Sequence, residues 1–147
     1  MRKLTKTGTV VGVYAGDPRR GDNEEQSADL ARAFCRATEL PSRIADRVAT
    51  LILVTKSHSP GDDADARLLV DIDLSILGRP RDRFAHYEDA IRQEYSWVPD
   101  VAFREGRTAV LAKFLARERI YCTPFFADRY EAVARENLRW SLARLAA

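Results

Sequence analysis

Leu68-Leu69-Val70-Asp71-Ile72-Asp73-Leu74-Ser75-Ile76-Leu77-Gly78 sets two carboxylates inside a run of large apolar residues. Its apolar side chains recur at three- and four-residue intervals, which reads as a helix, and Gly78 stands where a helix commonly stops. On such a helix Leu69, Val70, Ile76 and Leu77 flank Asp73 at three and four positions, so Asp73 is expected to face the core. Asp71 lies between Leu68 and Leu74 on an adjoining stripe. A buried carboxylate is costly unless a donor, a cation or a metal sits beside it. The segment therefore anchors the fold reading and is also the first place to look for a site.

Helical signals continue on both sides of it. Upstream, Asp22-Asn23-Glu24-Glu25 looks like an N-cap with an acidic first turn, opening a helix to about Thr38 with Leu30, Ala31, Phe34 and Ala37 on its apolar side. A second helix runs from Pro41-Ser42 to about Lys56, followed by a polar loop over Ser57 to Asp63 that contains Pro60-Gly61. Downstream, a fourth helix is expected from about Asp82 to Tyr95 and a fifth from Pro99-Asp100 to the basic stretch Arg117 to Arg119. A last helix starts at Thr123-Pro124, where Thr can cap and Pro suits the first turn. The β-branched, Gly-interrupted residues 1–16 read as a short strand or irregular arm, and Asp17-Pro18-Arg19-Arg20-Gly21 as a turn. The fold class is all-α: one helical domain of about six helices over residues 17–147, preceded by that arm.

Composition narrows the function. The chain has 147 residues, enough for one sizeable core, and a formal net charge of +2 with acidic residues interleaved among the arginines. No one-signed face emerges, so nucleic acid is not an expected partner. Cys35 and Cys122 have neither zinc-type spacing nor a disulfide framework, which points to a reducing cytosol. No apolar run is long enough to span a membrane, and the N-terminus lacks the apolar stretch of a signal peptide. There is no Gly-rich phosphate loop, nucleophile elbow, His-Glu-x-x-His or Cys-x-x-Cys.

Few residues remain as chemical candidates. Asp71 and Asp73 either cap a neighbouring helix or pair with arginine, or they form part of a site. Two carboxylates can hold a divalent cation, but carboxylates alone rarely build a tight transition-metal site. His58 follows a helix C-terminus, where it can serve the helix dipole or, brought near Asp73 by its loop, bind metal or phosphate. His86 sits on a charged helix and reads as a surface residue. Helix-start electrostatics account for Glu24 and Glu25, Asn23 can cap, and the aromatic residues read as core.

Four strings, taken in order, resemble a bacterial family of predicted metal-dependent phosphohydrolases of the HD superfamily: Asp17-Pro18-Arg19-Arg20-Gly21-Asp22-Asn23-Glu24-Glu25-Gln26-Ser27-Ala28, Thr55-Lys56-Ser57-His58, Asp71-Ile72-Asp73-Leu74-Ser75-Ile76-Leu77-Gly78 and Arg119-Ile120-Tyr121-Cys122-Thr123-Pro124-Phe125-Phe126. The likeness runs from about Val13 to Ala147. It implies an all-α HD-domain-like bundle whose metal is held by a first histidine, a His-Asp dipeptide and a distal aspartate, with a metal-bound hydroxide attacking phosphorus. By this resemblance Asp73 is the distal metal aspartate, Asp71 its neighbour in the site, and His58 a further ligand or phosphate contact. Asn23, Glu24, Glu25, Arg19, Arg20 and Lys56 would be the substrate-side residues. The implied cofactor is a divalent metal (Mn, Mg, Ni, Fe or Zn), and the implied substrate a phosphorylated small molecule or nucleotide.

One departure shapes the expectation. Aligning through Val13-Tyr14 puts Val10-Val11 where the family has its His-Asp dipeptide, and nothing in Met1 to Gly12 supplies the first histidine. The expected domain is thus N-terminally incomplete, its metal weakly bound or absent and its catalysis weak or lost. Apolar surface left by the missing helix points to self-association. The alternatives are a non-catalytic helical binding or assembly module, and a nucleotide-binding regulator that uses Arg19, Arg20 and His58 without hydrolysis.

Overall fold

The computed structural model describes residues 21–147. The arm and turn expected before them, with Val10-Val11, Arg19 and Arg20, lie outside the described residues. Those described form an all-α structure: α1 (Asn23–Ala37), α2 (Ser42–Ser57), α3 (Ala64–Leu74), α4 (Arg81–Glu94), α5 (Asp100–Leu115) and α6 (Pro124–Ala146), with a 3-10 turn over Ser75–Gly78 and no strand among them. No helix among the described residues is long and apolar enough to cross a membrane. The chain divides between Ser57 and His58 into two compact units.

The first unit is the α1–α2 hairpin. Its buried side chains are small: Ala28 and Cys35 on α1, Ala45 and Ala49 on α2. The seam follows these residues because small side chains let two helices approach closely. Leu30 and Phe34, expected on the apolar side of α1, are instead exposed, Phe34 to 65%. Asp22 stands at the N-cap position of α1 but does not cap with its side chain; its carboxylate accepts from the Gln26 side chain at 2.8 Å.

The second unit carries the larger core, including Val70, Leu74, Leu77, Phe84, Leu111, Ile120, Tyr121, Ala134 and Leu138. Helix α3 begins where the Asp63 carboxylate accepts the Ala66 N–H at 3.0 Å. Its last turn tightens into the 3-10 segment, whose end needs donors from elsewhere. The Tyr121 hydroxyl donates to the Leu74 carbonyl at 3.1 Å. The buried Asn137 amide donates to the carbonyls of Leu77 (2.7 Å) and Arg79 (2.8 Å). Its Oδ1 accepts from Arg81 Nε at 2.7 Å, tying the start of α4 to α6.

Gly78 permits this approach. A Cβ there would stand 2.5 Å from the Tyr130 Cβ and 2.9 Å from the Tyr130 carbonyl oxygen. Gly78 is not in the left-handed region, so the helix-stop reading gives the wrong reason for it; the requirement is space against α6. A second polar anchor joins three helices: Arg107 of α5 pairs with Glu88 of α4, and the Ser141 hydroxyl of α6 donates to Glu88 at 2.7 Å. The pair is almost wholly enclosed, so losing either partner would strand a buried charge.

Candidate functional site

Of the two aspartates of α3, the one expected to face the core, Asp73, is the more exposed. Asp71 is fully buried, whereas the Asp73 side chain is 41% exposed. Two residues along a helix are roughly 200° apart around its axis, so the aspartates flank the buried stripe Ala66–Val70–Leu74 on opposite sides. The segment before α6 covers Asp71, and the loop after α2 reaches Asp73.

Asp71 is fully engaged by the protein. It accepts the Cys122 N–H (2.7 Å), the Thr123 N–H (2.7 Å) and the Thr123 hydroxyl (2.5 Å). From the other side, Glu131 of α6 accepts the N–H groups of Ile120 and Tyr121. Two carboxylates thus take four successive backbone donors and hold the chain as it enters α6. Arg67 adds a bond to the Cys122 carbonyl at 2.7 Å. This answers how the buried Asp71 is satisfied: by backbone and hydroxyl donors. Burial pushes the Cys122 thiol upward and the Asp71 charge adds to it, so this cysteine is not an activated thiolate.

His58 and Asp73 are brought together. The His58 Nε2 lies 2.8 Å from the Asp73 Oδ2. An ionised carboxylate only accepts, so in the neutral imidazole Nε2 carries the hydrogen and Nδ1 is left as an acceptor. The ring stands edge-on to Phe114, with centroids 5.5 Å apart. Its backbone is in the left-handed region, φ 51°, which is uncommon for a residue with a Cβ. The pair is only partly shielded, with the imidazole 22% exposed. Burial pushes the Tyr87 phenol of α4 upward, and the Asp73 charge contributes to that push.

The remaining described candidates belong to the first unit. The Lys56 ammonium donates to Glu25 (2.5 Å) and to the Gly21 carbonyl (2.9 Å). That hydrogen bond holds Glu25 below the usual carboxylate range and Lys56 above its ordinary value. Glu24 acts on Lys56 through its charge alone. The Asn23 Oδ1 is buried and has no hydrogen-bond partner among the described residues.

A divalent metal does not fit this donor set. No three His, Cys, Asp or Glu side chains converge among the described residues. The Asp71 oxygens are already committed to three donors, which leaves His58 and Asp73 as two ligands where a zinc-type site uses three or four. Residues 1–20 hold no His or Cys, and Asp17 is the one acidic side chain in that stretch.

Sequence reasoning missed Phe114 and Arg117. By sequence Phe114 reads as a core aromatic and Arg117 as part of a basic helix end, yet both touch His58. Nothing local marks them, because the contact spans more than fifty residues of chain. Comparison with family models, curated proteins and solved structures finds no match to this chain.

Proposed function

We propose that this chain is an HD-superfamily phosphohydrolase-like helical domain in which the His58–Asp73 pair is the inherited part of the site, and that the chain itself does not hydrolyse phosphoesters. The observation that carries this reading is the 2.8 Å contact between two residues that the family resemblance assigns to one site. They come from separate segments, the loop after α2 and the helix α3, and they meet on an accessible face. The substrate class of the ancestral chemistry would be a phosphorylated small molecule or nucleotide, in a reducing cytosol.

The loss of hydrolysis follows from the donor count. A metal that activates water must be held firmly by its protein ligands while keeping a position open. Val10-Val11 stands where the resemblance puts the His-Asp dipeptide, and Asp71 is taken up by the α6 start. What the pair does in this chain is hold an oriented imidazole beside a carboxylate.

Calorimetric titration with Mn²⁺ and Ni²⁺, run beside a phosphoester panel, tests the reading. The expected result is no saturable one-to-one binding and no turnover above that of Asp73→Ala. Tight stoichiometric binding, with turnover abolished by His58→Ala and Asp73→Ala, would overturn it.

A further inference from the structure

We infer that Arg117 is a positioning residue for His58: it holds the His58 carbonyl and the Phe114 ring together, and so keeps the imidazole on Asp73. The inference rests on reading the His58–Asp73 pair as the site. Its starting point is the backbone of His58. At φ 51° it takes the left-handed conformation with which helices commonly end, directly after α2, so a hold on its carbonyl fixes where the imidazole points.

Arg117 supplies that hold. Its Nη1 donates to the His58 carbonyl at 3.2 Å. Its guanidinium also stacks over Phe114, with Cζ 4.8 Å from the ring centroid. Phe114 is the ring against which the imidazole stands edge-on, at an interplanar angle of 82°. One cation therefore fixes both the backbone that aims the imidazole and the ring that backs it.

Arg117 is itself braced. Its carbonyl accepts from Arg135 Nη2 at 2.8 Å, and Arg135 Nε donates to Glu131 at 2.8 Å. Arg135 also donates to the carbonyls of Leu115 and Glu118. The end of α5 is thereby locked, and Arg117 starts from a fixed backbone. The same Glu131 holds Ile120 and Tyr121, so the support under His58 is continuous with the segment that buries Asp71. Loss of the Arg117 bond removes this hold on the His58 carbonyl, and the imidazole is then free to leave Asp73.

The test uses the full chain with isotope-labelled histidine. His58 and His86 are the two histidines, and His86→Gln assigns them. In buffer alkaline enough to keep imidazoles neutral, the parent should give ring-to-ring NOEs between His58 and Phe114 and nitrogen shifts of a single Nε2–H tautomer. Arg117→Ala should lose those NOEs and show tautomer-averaged nitrogen shifts, with the His86 signals and the backbone spectrum outside residues 57–63 and 114–120 unchanged. Arg117→Lys keeps the charge but cannot bridge carbonyl and ring in the same way, so it should lose part of the signature. It carries the test if the alanine variant does not fold. A parent-like His58 in Arg117→Lys, or in a folded Arg117→Ala, overturns the inference. Neither metal nor substrate enters the measurement. Turnover in the metal assay would therefore sink the proposed function without touching this result, and a parent-like His58 would sink this inference without touching that function.

Discussion

At the scale of single residues, two aspartates of similar sequence surroundings have unlike roles. Asp71 is a buried acceptor of three hydrogen bonds, and Asp73 is a partly exposed partner of one histidine. Replacing Asp71 by Ala leaves three donors without their charged acceptor in a closed interior, a cost of about 3 kcal/mol or more. Replacing Asp73 by Ala removes a partly solvated pair and should cost under about 1 kcal/mol. Urea unfolding of the two variants checks this, and equal midpoints would contradict the assignment. The sequence made it legible that this segment carries a buried carboxylate needing partners. Which carboxylate is buried was not legible, because the two sit on opposite flanks of the stripe. The flank that is closed is set by Cys122 and Thr123, some fifty residues away. The same limit hid Arg117 and Phe114, whose link to His58 is made by tertiary packing.

At the scale of elements, helices were readable where their ends carry local chemistry. Thr123-Pro124 does open α6, and Pro99-Asp100 does open α5. The hydroxyl of Thr123, however, serves Asp71 and does not cap its own helix, which no local rule foretells. Gly78 shows the same gap between a correct location and its cause. It ends the α3 segment as expected, but α6 crowds its α-carbon. Gly78→Ala should therefore destabilise by about 1–3 kcal/mol through forced displacement of α6. Gly106 is the control: it lies inside α5 with nothing near its absent Cβ. Gly106→Ala should stabilise by about 0.5–1 kcal/mol, since glycine is a poor residue for a helix interior. Thermal unfolding of both variants measures the contrast, and a Gly78→Ala protein as stable as the parent would show that the close approach is not demanding.

At the scale of the whole molecule, the two units differ in what they can bury. The α1–α2 hairpin encloses only Ala28, Cys35, Ala45 and Ala49, whereas residues 58–147 enclose Phe84, Leu111, Ile120, Tyr121 and Leu138 along with Asp71 and Asn137 in satisfied networks. A fragment of residues 58–147 should accordingly fold and unfold cooperatively, while one of residues 21–57 should show at most partial helix without a sharp transition. The larger fragment should also have a distinct alkaline limit. Burial raises the phenols of Tyr87 and Tyr121, so the folded state binds those protons more tightly than the unfolded chain does. The stability this linkage supplies is fully present below about pH 10, the value of a free tyrosine, and is lost as pH rises toward the folded values. Urea midpoints of the fragment should thus fall steeply above about pH 10 from this cause. Tyr121→Phe should start lower at neutral pH, having lost its bond to the Leu74 carbonyl, yet decline less across the alkaline range. Parallel alkaline slopes for fragment and variant would mean that Tyr121 does not contribute to that limit, and would leave its role confined to holding the end of α3.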